Sequence, residues 1–226
     1  MAQLFDKILG TPSGLIRDMV FKRKKGGNII AKHPTPRASA LKDTEKALMA
    51  KFGLAGKIAS KINSIQVLKD VWPKSTGKGS KCNEILKANY ALISSAENLG
   101  TVTVAPLFGF DIANPVLTVG VSGIHLVTDA LGVNVEIDSS VEKFIVTAGV
   151  VVLQTPTSAD NPINQVIAFK SVQHNIDLIN PVDLSVEFSS GLLATYGSYT
   201  VKKVFACLIT LDDTGTPIRY SSTVHS

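Results

Sequence analysis

Four histidines and two cysteines are the residues in this 226-residue chain best suited to chemistry. His33, His125, His174 and His225 stand far apart and form no His-x-x-x-His pair, and Cys82 and Cys207 form no Cys-x-x-Cys pair. Structural and catalytic metal sites draw ligands from such close pairs, so the sequence gives no metal site and no cofactor site. Asp212-Asp213-Thr214-Gly215 resembles part of a calcium loop. It lacks the alternating acidic ligands and closing glutamate of that loop, and a hairpin turn with glycine at positive φ accounts for it. The basic run Gly77-Lys78-Gly79-Ser80-Lys81 fails as a phosphate loop, because Trp72 stands where the first glycine belongs and Gly79 follows the lysine. Cys82 lies near Lys78, Lys81 and Lys87, which favour a thiolate, but no histidine is close in sequence to serve as its base. The catalytic list is therefore empty, and the chain reads as a non-enzyme.

What remains is charge. Lys22-Arg23-Lys24-Lys25 is the densest cationic cluster, with Lys32 and Arg37 after it. Residues 1–100 hold 18 Lys and Arg against 7 Asp and Glu, net +11; residues 101–226 hold 5 against 11, net −6. Two destinations fit the cluster: nucleic acid, through sequence-blind phosphate contacts, or an acidic protein face. Phe21 is the only ring beside it, so no base-stacking platform accompanies it. Lysines spaced along helices also solvate them. Opposite charge on the two halves of identical subunits favours head-to-tail assembly. Leu4, Phe5, Ile8 and Leu9 form a small apolar hook and are assigned as assembly anchors; Lys22, Arg23, Lys24 and Lys25 are assigned as the basic contact.

Three regions position these residues. Residues 1–40 read as an extended arm with a β-hairpin, in which Gly26-Gly27 turns between β-prone segments and Pro34 and Pro36 end the return. A lone hairpin is marginal in water, so this one requires a partner surface. Residues 41–97 read as helical. Leu48, Phe52, Ala55, Ala59, Ile62 and Ile65 make one stripe in a helix over 43–72, and a second helix spans roughly 83–94. Gly53 and Gly56 interrupt the first helix, which predicts close approach of another backbone. From residue 98 the period becomes two. Strands are predicted at 101–105, 116–121, 124–128, 133–137, 144–153, 165–172, 183–188, 199–211 and 217–224. The fold class is thus α+β, mainly β, with a C-terminal antiparallel immunoglobulin-like β-sandwich over 98–226.

Two stretches carry a resemblance. The front has Gly10, Ser13-Gly14, Ile16, Val20-Phe21, Gly26-Gly27 and Pro34, then a helix start at Thr44-Glu45 running to Lys51-Phe52; the tail has Val201 to Leu211, Asp213-x-Gly215 and Ser221-Ser222. Together these resemble an uncharacterised bacterial family with an N-terminal arm, a helical middle and a C-terminal β-sandwich. No activity is established for that family, so the resemblance implies none. By fold-level analogy, arm-plus-sandwich proteins occur as tailed-phage virion components.

These readings converge on a structural assembly protein, a phage neck, tail or head component. Its partners are further copies of itself or other virion proteins, with nucleic acid as the second option at the basic hairpin. The alternative is a monomeric β-sandwich module that binds a glycan or protein ligand, supported by the grouping of Tyr196, Tyr199 and Tyr220. Asp6 interrupts the apolar start and no signal-peptide pattern follows, so synthesis in the cytoplasm and incorporation into a virion are expected. No run reaches the ~18 apolar residues of a membrane span.

Overall fold

The computed structural model describes residues 3–4, 14–16, 19–24, 27–32, 41–74, 79–97, 99–133 and 137–226. The chain divides into two compact units, residues 1–42 and 43–226. Strand residues outnumber helical ones and the sheets are antiparallel, so the α+β class with more strand than helix holds.

The first unit is one four-stranded antiparallel sheet. Strands β1 (Gln3–Leu4), β2 (Gly14–Ile16), β3 (Met19–Lys24) and β4 (Gly27–Lys32) take the order β1-β4-β3-β2. The central hairpin is β3–β4, in register from Met19 opposite Lys32 to Lys24 opposite Gly27. The return strand therefore opens on Gly27 itself. The hairpin does not stand alone, and the partner surface that its sequence calls for comes, at its two edges, from its own chain. Gln3 and Leu4 pair with Ile29 and Asn28 on one side, and Gly14 to Ile16 pair with Phe21 to Met19 on the other. These short flanking strands satisfy ladder groups that a bare hairpin leaves to water.

The second unit has three layers. Its middle layer is built on β7 (Phe144–Pro156) and β11 (Tyr199–Leu211), paired from Tyr199 opposite Pro156 to Leu211 opposite Phe144. Strands β8 (Asn164–Lys170) and β9 (His174–Asn175) pair with the far side of β7; β12 (Pro217–Tyr220) and β13 (Val224–His225) pair with the far side of β11. Helices α1 (Asp43–Ser64), α2 (Gln66–Val71) and α3 (Lys81–Leu92) cover one face, where Leu54, Ile58, Ile62, Leu68 and Ile85 pack with Val150, Phe205, Cys207 and Ile209. A three-stranded sheet covers the other face, in the order β10-β6-β5, from β5 (Val116–Val119), β6 (Gly123–Thr128) and β10 (Val182–Glu187). There Leu117, Ile124, Leu126 and Leu184 meet Val151, Leu153, Val204, Ala206 and Leu208. Along β11, Phe205, Cys207, Ile209 and Leu211 are buried under the helices, Val201 and Lys203 on the same alternation are not, and the opposite face is buried from Val204 to Leu208. A strand covered on both sides reads as a near-continuous apolar run, and Phe144 to Leu153 is such a run interrupted at Thr147 and Gly149. Gly149 lies mid-strand in β7, where a Cβ would overlap the Phe205 carbonyl oxygen.

The local departures from expectation have physical reasons. The single helix expected over 43–72 breaks at Ile65, which is extended (φ −90°, ψ 112°); the Ser64 hydroxyl donates back to the Lys61 carbonyl (2.6 Å) and competes with helix continuation. The buried stripe of α1 runs through Leu54, Ala55, Ile58, Ala59 and Ile62, whereas Leu48 and Phe52 are more than half exposed. No atom lies within 4 Å of a Cβ placed on Gly53 or Gly56, so no described backbone approaches them. Residues 101–105 alternate polar and apolar types over Thr101 to Val104, yet Val102 to Ala105 are all buried and they belong to no ladder. The Asn89 amide takes the place of a neighbouring strand: its Nδ2 donates to the Thr103 carbonyl, and its Oδ1 accepts from the Thr103 N–H, both at 3.0 Å. The strand expected over 133–137 falls mostly outside the described residues, and Leu131–Val133 form a 3-10 turn. Helix α4 (Ser190–Gly197) has no counterpart among the predicted elements and packs Leu192, Leu193 and Tyr196 against the three-stranded sheet's core.

Candidate functional site

Of the residues assigned as assembly anchors, Leu4 lies in β1 opposite Asn28. Phe5, Ile8 and Leu9 lie outside the described residues. Lys22, Arg23 and Lys24 occupy the last half of β3, opposite Ile29, Asn28 and Gly27, and Lys25 lies outside the described residues. The backbone register thus gathers three consecutive cations of the basic contact at one end of the sheet. With nine Lys and Arg against two Asp, residues 1–42 carry a net charge of +7, and residues 43–226 carry −2.

Four carboxylates of the second unit are engaged in structure. Asp212, Asp138 and Asp177 each fold their own loop. The Asp212 carboxylate accepts from the Thr214 hydroxyl (2.7 Å), the Thr214 N–H (2.9 Å) and the Thr216 N–H (2.8 Å). Its pKa is lowered, first by the Thr214 hydroxyl. Gly215 completes that turn at φ 82°. Asp138 is lowered chiefly by the Ser140 hydroxyl, and Asp177 chiefly by the Asn180 amide. Glu142 is buried. It accepts from the Thr210 hydroxyl and from the Asp138 N–H (3.2 Å), and Arg219 Nε stands 3.3 Å away.

The residues singled out in the sequence separate in the same way. Cys207 is fully buried, and burial pushes its thiol far up. Two cations near Cys82 are committed elsewhere: Lys81 donates to the Lys69 carbonyl (2.8 Å) and pairs with Asp70 (3.6 Å), and Lys87 pairs with Glu84 (3.0 Å). The Ser80 hydroxyl accepts from the Asn83 N–H and caps α3. Tyr196 and Tyr199 are buried, and the Tyr199 hydroxyl donates to the Pro162 carbonyl (2.9 Å). They offer no stacking face for a glycan.

One constellation has no signal in the sequence. His125 Nε2 meets the Asp183 carboxylate, and Ser185 lies opposite His125 in the β6–β10 register. His125 and Asp183 are 58 residues apart in the chain, so no local spacing announces them. Among the described residues the Ser185 hydroxyl makes no hydrogen bond to the ring, and the pair is solvent-exposed. A nucleophile needs its base within hydrogen-bond reach and an oxyanion donor set, so this set gives a hydrogen-bonded His–Asp pair rather than a reacting serine. Among the described residues no group of three His, Cys, Asp or Glu stands close enough to hold a metal, and no helix is long and apolar enough to cross a membrane.

A cleft of about 750 Å³ lies between α2, α3 and the segment before β5 in the second unit. Its apolar wall is formed by Val71, Trp72, Pro73, Ala88 and Tyr220. Trp72 is fixed by its ring N–H, which donates to the Val104 carbonyl (3.0 Å). Leu107 and Phe108 stand at the cleft's edge, 71% and 99% exposed. Phe108 has φ 75°, a conformation unfavourable for a bulky residue. The chain behind it is pinned: the Phe110 N–H donates to the Tyr220 carbonyl (3.0 Å), and the Ser222 N–H donates to the Phe110 carbonyl (2.9 Å). Gly109 is obligatory there, because a Cβ would overlap the Ser221 carbonyl group. The arrangement holds an apolar tip in water.

Comparison of the chain with family models, curated proteins and solved structures finds no match.

Proposed function

We propose that this chain is a structural assembly protein, not an enzyme, in which the first unit makes the contact between subunits. The observation that supports this reading most is the separation of charge along the chain. A small unit of 42 residues concentrates a net +7, while residues 101–226 carry −6. Such a division favours a heterologous contact, in which the basic end of β3 on one copy meets the acidic region of another. The unit is also near the size below which a lone domain usually needs outside help to stay folded. In this reading the two-sheet half of the second unit serves as an immunoglobulin-like scaffold, two antiparallel sheets closing on one core. The reading fits a tailed-phage virion component of the neck, tail or head, where repeated copies must interlock. Leu4, Phe5, Ile8 and Leu9 act as anchors, and Lys22 to Lys25 supply the charge.

The test compares the full chain with one beginning at Asp43. The trimmed chain should melt cooperatively and lose the larger assembly, and the full chain's assembly should weaken as salt rises, since exposed charges are screened beyond roughly 10 Å at 0.1 M. A trimmed chain with the full chain's stoichiometry would overturn the reading. A full chain that assembles only when nucleic acid is added would transfer the basic contact to phosphate.

A further inference from the structure

We propose that two copies of this chain meet at the cleft beside Phe108, each placing its Leu107–Phe108 tip into the other's cleft about a two-fold axis. This contact lies wholly on the second unit and does not depend on the first unit's role.

The tip carries two costs at once. An aromatic ring at 99% exposure is unfavourably hydrated, and its left-handed backbone is strained. The neighbouring chain cannot relax it, since the Phe110–Tyr220 and Ser222–Phe110 hydrogen bonds fix the segment and Gly109 leaves no room for movement toward Ser221. A ring held out in this way is pre-organised for an apolar partner. The nearest apolar hollow of suitable size is the cleft of about 750 Å³ whose edge carries the ring. A knob and a hole side by side on one face are self-complementary only about a two-fold axis, because that operation sets each knob against the other copy's hole.

Charge selects the same occupant. Glu84 and Lys87 lie one turn apart on α3, 3.0 Å between Oε1 and Nζ, and both line the cleft. An α3 helix meeting its own copy antiparallel brings Lys87 of each copy opposite Glu84 of the other. A second copy therefore supplies both a ring for the hollow and opposite charges for its rim.

The experiment is sedimentation of the full chain at tens of micromolar, beside Phe108→Asp, Lys87→Glu and Glu84→Lys. Each variant should sediment at about half the wild-type mass and still melt cooperatively, since all three positions border solvent. An equimolar mixture of Lys87→Glu and Glu84→Lys should regain the wild-type mass. One chain then presents two carboxylates and the other two ammonium groups, so opposite charges meet at both contacts. Phe108→Asp at full mass overturns the proposal. A mixture that stays at half mass overturns the two-fold geometry, and a mass lost only on removing residues 1–42 overturns the second copy as the cleft's occupant. The first unit's role is judged separately by the chain beginning at Asp43.

Discussion

The two units of this chain are both built on antiparallel sheet, but they differ in size and in charge. In residues 43–226 the β7–β11 pair is buried on both faces, by helices on one side and by a second sheet on the other. The described part of residues 1–42 forms four strands of two, three, six and six residues, and residues 1–42 carry a surplus of seven positive charges. Stability in the large unit comes from apolar area removed from water. The small unit is set apart by its charge, nine Lys and Arg against two Asp. That contrast is why the large unit reads as the scaffold and the small one as the contact.

The strongest way to break the contrast is to attack the large unit's centre. Gly149→Val should be the most destabilising change, by about 3 kcal/mol or more, because its side chain would enter the β11 backbone at Phe205 and Ala206. A urea midpoint lowered for the whole of residues 43–226 checks it. Glu142→Ala should follow at about 2 kcal/mol, since it leaves the buried Thr210 hydroxyl without its acceptor and removes one contact of Arg219; Glu142→Gln, which keeps an acceptor for Thr210, should recover part of the loss.

Reversal of Lys22, Arg23, Lys24 and Lys25 to glutamate sharpens the comparison from the other side. It should shift stability of the large unit by under about 0.5 kcal/mol and yet dissolve the larger assembly, as light scattering would record. Acid gives the smallest effect. Asp138, Asp177 and Asp212 have lowered pKa values from loop hydrogen bonds. Their contribution is complete above the unfolded carboxylate value of about 3.9 and is lost as pH falls through the still lower folded values. As far as these groups act, the urea midpoint should therefore hold at neutral and mildly acidic pH, then decline below about pH 4; Asp212→Asn should reduce that decline.

Much of the large unit is legible in sequence because its signals are local. Both ends of β11 follow from its long alternation and from Asp212 to Gly215, a turn in its own right. Trp72-Pro73 marks the end of the helical run, and Trp72 is extended. The break at Ile65 is not legible, because it depends on a hydroxyl bonding back to the backbone. Nor is the role of Asn89, whose amide stands in for a strand, because nothing in a polar residue on a helix announces a partner at Thr103. The three-layer arrangement is hidden for a related reason: alternation reports one buried face, and β7 and β11 have two. The cleft and its exposed ring are invisible too, since Pro106-Leu107-Phe108-Gly109 reads as an ordinary loop until the Gly109–Ser221 approach is seen.

The division of labour is tested most directly by the solution mass of the chain beginning at Asp43, measured by sedimentation beside the full chain. The expected result is a folded species that stops at two copies, joined at the cleft, while the full chain builds a larger one. A trimmed chain that assembles to the same size as the full chain would contradict it.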